Sequence, residues 1–197
     1  MAYIGKVPTA VPLGTSDLAD GIVTVSKLAS TLDLSGNTIT LPSGVGGKVL
    51  QVVQTVKTDT FTTTSTSFVD VTGLSATITP SSTSSKILIL YEIMVSAYGS
   101  QFYIKLLRGS TDIYIGDSAG SRKRVTNNHW LGDPNNMFSS VISYLDSPNS
   151  TSATTYKIQA HTQNSSFGFY VNRTTTDTDA SNMPRGSSSI TLMEVAG

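Results

Sequence analysis

The stretch Ile87-Leu-Ile-Leu-Tyr-Glu-Ile-Met-Val95 decides how this chain folds. Successive side chains of a β-strand point to opposite faces, so odd and even positions are considered separately. The even positions are mostly apolar but include Glu92 and Ser96, a mixture typical of a subunit interface. The odd positions form one uninterrupted apolar face, which we assign to the core: Ile87, Ile89, Tyr91, Ile93 and Val95. A sheet with one face in water would alternate, so this strand predicts burial on both faces.

Short β-type segments continue on both sides of this stretch, separated by turn clusters rich in Ser, Thr, Gly, Asn and Pro. About ten such segments, with no helical period between them, predict an antiparallel β-sandwich or barrel over residues 48–197. A mixed α+β fold is the alternative. The predicted strands are Val49–Lys57, Ser67–Thr72, Ser75–Thr79, Lys86–Tyr98, Gln101–Arg108, Asp112–Gly116, Met137–Asp146, Thr154–Thr162, Phe167–Asn172 and Ser188–Ala196.

Composition excludes several functional classes. The chain carries 13 basic and 13 acidic side chains, whereas nucleic-acid-binding proteins usually have a basic excess that neutralises phosphates. The chain has no cysteine, which excludes disulfides, thiolate metal sites and thiol nucleophiles. The longest apolar run is far shorter than the roughly 20 residues of a membrane-spanning helix, and no signal peptide is expected. We therefore expect neither a nucleic-acid partner nor a membrane partner.

The residue pattern of the chain changes near Pro42-Ser-Gly-Val-Gly-Gly47, a segment that we interpret as a hinge. Residues 1–47 are expected to form an extended arm that contains a short β-hairpin around Ser35-Gly36-Asn37. Residues 48–197 form the β-domain. The arm is too short of large apolar side chains to build a core of its own, so its apolar residues should be buried against a shell protein or an adjacent copy. These anchoring residues are Tyr3, Ile4, Val7, Val11 and Leu13.

Residues suited to catalysis are scarce and isolated. The two histidines lie far apart in sequence, His129 in a stretch that we interpret as a polar turn and His161 at the end of a strand. Neither belongs to a metal-binding or nucleophile motif. Asp177 and Asp179 offer too few carboxylates for a calcium loop. The sequence therefore predicts a protein that is not an enzyme and that uses no cofactor and no metal.

Two groups of side chains are candidates for binding. Tyrosines on predicted outer faces favour an oligomer when combined with the even face of the central strand, because tyrosine is enriched at interfaces. The predicted interface residues are Leu88, Leu90, Met94, Tyr98, Tyr103, Tyr144 and Tyr170. The second group combines the basic cluster Arg122-Lys-Arg124 with the single tryptophan, Trp130. Tryptophan stacks on sugar rings and cations pair with acidic groups, so this group predicts contact with a host-surface glycan, although a solvated loop is the simpler alternative.

The chain resembles a family of phage virion surface proteins. In the first part of the chain, the segments that carry the likeness are Ala2-Tyr-Ile-Gly-Lys-Val-Pro8, Asp17–Ala29 and Leu34–Gly44. In the rest, the likeness is one of residue composition, from Lys48-Val-Leu-Gln-Val-Val53 to Glu194-Val-Ala196. These segments resemble the anchoring arms and trimeric tips of capsid cement or decoration proteins and of tail fibres or tailspikes, especially those of cyanophages. The resemblance implies a homotrimer with a jelly-roll β-sandwich, similar in shape to tumour-necrosis-factor and C1q heads.

Within that family, two roles remain open. The segment before the β-domain is short and carries no heptad repeat or repeated shaft, which a tail fibre or tailspike tip normally needs in order to reach a receptor. This favours a capsid decoration (cement) protein that attaches to the major capsid protein and stabilises the head shell. The expected location is the capsid surface of a virion assembled in the host cytoplasm. A short tail fibre or tailspike tip that binds a host receptor or glycan is the alternative.

Overall fold

The computed structural model describes residues 48–130 and 132–197, and these residues are all-β, as predicted. They form eleven strands and contain no helix. The bounds are β1 Val49–Lys57, β2 Phe61–Thr63, β3 Val69–Ile78, β4 Lys86–Ala97, β5 Gln101–Arg108, β6 Thr111–Ile113, β7 Asn127–Trp130, β8 Phe138–Asp146, β9 Thr154–Thr162, β10 Phe169–Val171 and β11 Ser188–Val195. The predicted arm, hairpin and hinge of residues 1–47 lie outside the described part of the chain.

The strands form two antiparallel sheets, which we call sheet A and sheet B. The main strand order of sheet A is β1–β11–β4–β8. The short strand β10 pairs with the last residues of β4, and β2 pairs with β10. In sheet B the order is β3–β9–β5, and both β6 and β7 pair with the free edge of β5. Several chain neighbours, among them β3, β4 and β5, lie in different sheets, and most of the pairing is therefore long-range.

The core lies between the two sheets, and the central strand supplies the middle of it. The five odd positions from Ile87 to Val95 are at most 1% exposed, which confirms the core face predicted from the sequence. Sheet B contributes residues with the same period of two, including Phe102, Ile104 and Leu106 on β5. Phe102 packs against Phe169 of sheet A, with ring centroids 4.9 Å apart. The two sheets thus share one apolar core, a sandwich-like arrangement.

Three local differences separate the structure from the sequence prediction. The segments predicted as two strands, Ser67–Thr72 and Ser75–Thr79, form the single strand β3, whose pairing shifts between Asp70 and Ser75. Gly73 lies in that irregular stretch with a φ of 86°, a conformation that glycine adopts without strain. The polar turn predicted around His129 is wrong, because Asn127–Trp130 forms β7. The third difference is β2, a short strand that the sequence did not indicate.

Candidate functional site

The outward surface of sheet A carries an unusual number of apolar side chains. The cross-strand register aligns Val52 with Met193, Met193 with Leu88, and Leu88 with Leu145 in one row across the sheet. Parallel rows add further apolar positions. We call the set the apolar face of sheet A, and it comprises Leu50, Val52, Val56, Leu88, Leu90, Met94, Val141, Leu145 and Met193.

Much of this face is open to solvent in the single chain. Val141 is 60% exposed, Val52 is 55% exposed and Leu145 is 46% exposed. A shallow depression of about 520 Å³ lies in the face between Leu90 and Val141. The charged group at its floor is Glu92, which accepts a hydrogen bond from Ser139 Oγ at 2.9 Å. Monomeric proteins seldom expose so continuous an apolar surface, so this face has the character of a binding surface.

The structure brings most of the predicted interface residues together here. Leu88, Leu90 and Met94 lie on the apolar face and are half-buried within it. Tyr170 on β10 pairs with Ser96, which places its ring on the same side of sheet A. Tyr98 follows β4 directly and is 46% exposed.

Two predicted interface residues lie elsewhere. Tyr103 belongs to β5 of sheet B and so lies on the opposite sheet. Tyr144 pairs with Ile89 on the core-facing side of β8, packs against the core and stacks on Tyr114 with ring centroids 4.8 Å apart. Neither tyrosine can share one interface patch with the apolar face.

The outward surface of sheet B carries an aromatic cluster beneath two lysines. His161 stacks on Tyr103 at 4.7 Å and meets Phe68 edge-on at 4.4 Å. The ammonium group of Lys105 lies 4.4 Å from the centre of the Phe68 ring, and that of Lys123 lies 5.7 Å from the centre of the Tyr103 ring. Cations over aromatic faces are attracted by the negative face of the ring. We call this group the sheet B aromatic cluster.

Trp130 lies next to this cluster. It pairs with Gln101 across the β5–β7 ladder, two residues from Tyr103, and is 63% exposed. The hydroxyl of Tyr103 lies 2.7 Å from Gln101 Oε1 and 2.6 Å from Gln163 Oε1. One hydroxyl hydrogen serves only one of these acceptors, so the other glutamine must turn its amide group toward the hydroxyl as a donor. The result is an exposed indole beside two amide side chains.

The predicted basic cluster is divided by the fold. Lys123 reaches the sheet B aromatic cluster, whereas Arg124 turns back and donates from Nε to the carbonyl oxygen of Gly116 at 2.7 Å. Arg122 is exposed at a turn closed by its backbone N–H and the carbonyl oxygen of Ala119. Of the four predicted glycan-contact residues, Lys123 and Trp130 therefore share the outward surface of sheet B. Local sequence patterns do not indicate that Tyr103, Gln101 and Gln163 lie beside these two residues, because that proximity depends on strand pairing.

Both histidine rings are stacked against aromatic side chains. Nδ1 of His161 lies 2.8 Å from the carbonyl oxygen of Thr162, so Nδ1 carries the hydrogen, while Nε2 is buried without a hydrogen-bond partner among the residues that the structure describes. Burial lowers the pKa of His161, and the positive charges of Lys123 and Lys105 lower it further. His129 stacks on Phe102 at 5.4 Å, and burial lowers its pKa as well. Neither ring is hydrogen-bonded to a side chain that could act as a nucleophile or as its orienting acid.

Asp177, one of the two carboxylates considered for a calcium loop, is engaged in local structure. Asp177 forms ion pairs with Arg185 at 2.8 Å and with Arg173 at 3.4 Å. No group of three or more metal-ligating side chains occurs in residues 48–130 and 132–197. In the same residues, no helix is long and apolar enough to cross a membrane.

Two buried carboxylates hold the ends of the sandwich. Glu194, 1% exposed, accepts hydrogen bonds from Ser81 N at 2.7 Å, from Ser81 Oγ at 2.6 Å and from Gln51 Nε2 at 2.6 Å. Burial raises the pKa of Glu194, but these hydrogen bonds outweigh it and bring the pKa to about 2. Asp146 accepts from Arg108 Nη1 at 2.9 Å and from the hydroxyl of Tyr156 at 2.6 Å. These groups are structural and lie apart from both outward surfaces.

In comparisons with known proteins, neither a family model nor a curated protein sequence matches this chain. The features that bear on function are therefore the two outward surfaces and the resemblance of the sequence segments described above.

Proposed function

We propose that this chain is a homotrimeric structural protein of a bacteriophage particle, a capsid decoration (cement) protein that attaches to the head shell and stabilises it. The observation that carries the proposal is the apolar face of sheet A. A face that leaves Val52, Val141 and Leu145 about half exposed is unfavourable in a free monomer. Covering one half-exposed Val or Leu side chain stabilises an assembly by about 1 kcal/mol, so the five such side chains of this face can together hold copies in contact: Leu50, Val52, Val56, Val141 and Leu145.

Charge favours further copies of the same chain as the occupant of this face. The chain has a formal net charge of zero, so copies approach one another without net repulsion. The face itself is nearly uncharged, and its Glu92 is already hydrogen-bonded to Ser139. A strongly charged partner would find no complementary groups here, whereas a second copy presents the same apolar rows.

The strand order supports a jelly-roll fold of the tumour-necrosis-factor and C1q type. We count β6 and β7 together as one position, because both pair with β5. The eight principal positions in chain order are then β1, β3, β4, β5, β6/β7, β8, β9 and β11. Sheet A takes positions one, eight, three and six, and sheet B takes positions two, seven, four and five. Two Greek keys wound in this way define a jelly roll.

In this proposal the arm of residues 1–47 attaches the trimer to the major capsid protein, through Tyr3, Ile4, Val7, Val11 and Leu13. The particle is assembled in the host cytoplasm, and no catalytic step is involved. The alternative role, a short tail fibre or tailspike tip that binds a host receptor, is favoured by one observation: the 63% exposure of Trp130.

The location and copy number of the protein test this proposal. Gold-labelled antibody against residues 48–197 should label the heads of purified particles, with hundreds of copies per particle by quantitative mass spectrometry. Label confined to the tail, with a handful of copies, would contradict the decoration role and support the alternative. Deleting residues 1–15 should abolish particle association, and normal incorporation of the shortened protein would exclude the anchoring role.

A further inference from the structure

The outward surface of sheet B, opposite the apolar face, combines three features found together in saccharide-binding sites. Trp130 presents an indole ring that is 63% exposed. Gln101, its cross-strand partner, and Gln163 place two amide groups around the hydroxyl of Tyr103. Lys123 holds its ammonium group 5.7 Å from the centre of the Tyr103 ring. Indole faces stack on the C–H faces of sugar rings, and amides hydrogen-bond to hydroxyl groups as both donors and acceptors.

Charge distinguishes Lys123 from the other lysines of this surface. Lys105 is paired with Asp112 at 2.5 Å, and Lys157 is paired with Asp70 at 2.9 Å. Within residues 48–130 and 132–197, Lys123 takes part in no ion pair. Its positive charge is therefore uncompensated where the aromatic and amide groups converge. Such a charge favours an anionic ligand over a neutral one.

The spacing suits a short oligosaccharide. Gln101 and Tyr103 lie two residues apart on β5, which separates them by about 7 Å along the strand. Trp130 stands beside Gln101, and Lys123 stands over Tyr103. A saccharide stacked on the indole can thus extend along β5 and place a carboxylate at the ammonium group.

Rigidity favours binding at this surface. Tyr103 is stacked on His161, which in turn packs against Phe68, so the floor of the site is a fixed aromatic layer. β7 is held on β5 through the register Gln101–Trp130 to Ile104–Asn127. Groups that are already in place lose little conformational freedom when a ligand binds.

We propose that this surface binds a saccharide bearing a carboxylate, with Trp130 as the stacking platform, Gln101 and Gln163 as hydroxyl ligands and Lys123 as the carboxylate ligand. The site goes beyond the proposed structural role, because it lies on the sheet opposite the apolar face and remains outward-facing when that face is covered. Three copies in one trimer would strengthen a weak site through multivalency.

The test uses the full chain on an array of saccharide pairs that differ in a carboxylate: galacturonate against galactose oligomers, glucuronate against glucose oligomers, and sialylated against unsialylated lactose. We expect at least one carboxylated member to bind, and its neutral counterpart to bind at least fivefold more weakly. Binding to no carboxylated member, or equal binding to both members of every pair, would overturn the proposal.

Variants assign the residues. With the bound saccharide, Trp130→Ala should weaken binding about tenfold, and its exposed position predicts an unchanged circular dichroism spectrum. Lys123→Gln should bring the affinity for the carboxylated member down to that for the neutral one, without changing the latter. Lys157→Gln, on the same sheet but paired with Asp70, is the matched control and should bind like the unaltered chain. Unchanged binding by Trp130→Ala, or an equal loss by the two lysine variants, would contradict the assignment.

Discussion

Replacing Glu194 with glutamine removes a charge that anchors the turn before β4 to the last strand. The carboxylate accepts from Ser81 N and Ser81 Oγ through one oxygen and from Gln51 Nε2 through the other. A glutamine amide at this position presents one acceptor and one donor. Gln51 Nε2 also donates to the carbonyl oxygen of Thr79 at 2.7 Å, so turning its amide to suit Glu194→Gln would break that second bond. At least one hydrogen bond is therefore lost.

The magnitude follows from the pKa of Glu194, which falls from the ordinary 4.5 to about 2. Each pKa unit corresponds to about 1.4 kcal/mol, so the shift corresponds to at most about 3.5 kcal/mol. Glutamine retains part of the hydrogen bonding, so we expect Glu194→Gln to lower the free energy of unfolding by about 2 kcal/mol at pH 7. Because the folded-state pKa is depressed, this stabilisation is complete above the unfolded pKa and is lost as the pH falls from 4.5 toward 2.

Urea denaturation followed by circular dichroism, at one fixed protein concentration, measures this difference. Asp117→Asn is the matched control, because that carboxylate is exposed and lies in a loop away from the apolar face of sheet A. We expect the control to change stability by less than about 0.5 kcal/mol. The loss of unfolding free energy caused by Glu194→Gln should shrink to roughly half or less when the pH is lowered from 7 to 3. A deficit no larger than that of the control, or one that does not change with pH, would refute the reasoning.

Two further predictions concern buried groups. Asp146→Ala removes the carboxylate that accepts from Arg108 and from the hydroxyl of Tyr156, so it should lower the free energy of unfolding by about 3 kcal/mol. The control Asp70→Ala breaks an exposed pair with Lys157 and should lower it by less than about 1 kcal/mol. Equal losses in urea titrations would contradict this prediction. Because burial lowers the pKa of His161, the unfolded chain binds the proton more readily, and stability should fall as the pH drops below the ordinary histidine pKa of 6.5. His161→Gln should flatten the decline in melting temperature between pH 7.5 and pH 5, and an unchanged slope would count against this.

The core could be predicted from the sequence because one strand carries an unambiguous pattern. The odd positions from Ile87 to Val95 are uniformly large and apolar, so their assignment to the core needed no knowledge of the partner strands. The bounds of Val49–Lys57, Gln101–Arg108 and Thr154–Thr162 were also predicted correctly. In these segments apolar and polar residues alternate clearly between turn clusters.

The composition of the outward surfaces was harder to predict, since it depends on which strands pair. Alternation along Gln101–Arg108 places Tyr103 opposite Phe102 and Ile104, but nothing local assigns that strand to sheet B. In β8 both faces hold apolar residues, Val141 and Leu145 outward and Ile142 and Tyr144 inward, so the side taken by Tyr144 was ambiguous. The polar residues of Asn127–Trp130 form a strand because β5 offers them a free edge. Long-range pairing, and not intrinsic propensity, decides such cases.

The mass of the full-length chain in solution is the most direct test of the claim that the apolar face of sheet A joins three copies. Sedimentation equilibrium at micromolar concentration should give about 62 kDa, three times the 20.8 kDa of one chain. Val141→Glu, at a position 60% exposed in the single chain, should give about 21 kDa with an unchanged circular dichroism spectrum, because three buried carboxylates would oppose assembly. A mass near 21 kDa for the unaltered chain, or a trimer that persists in Val141→Glu, would contradict the account.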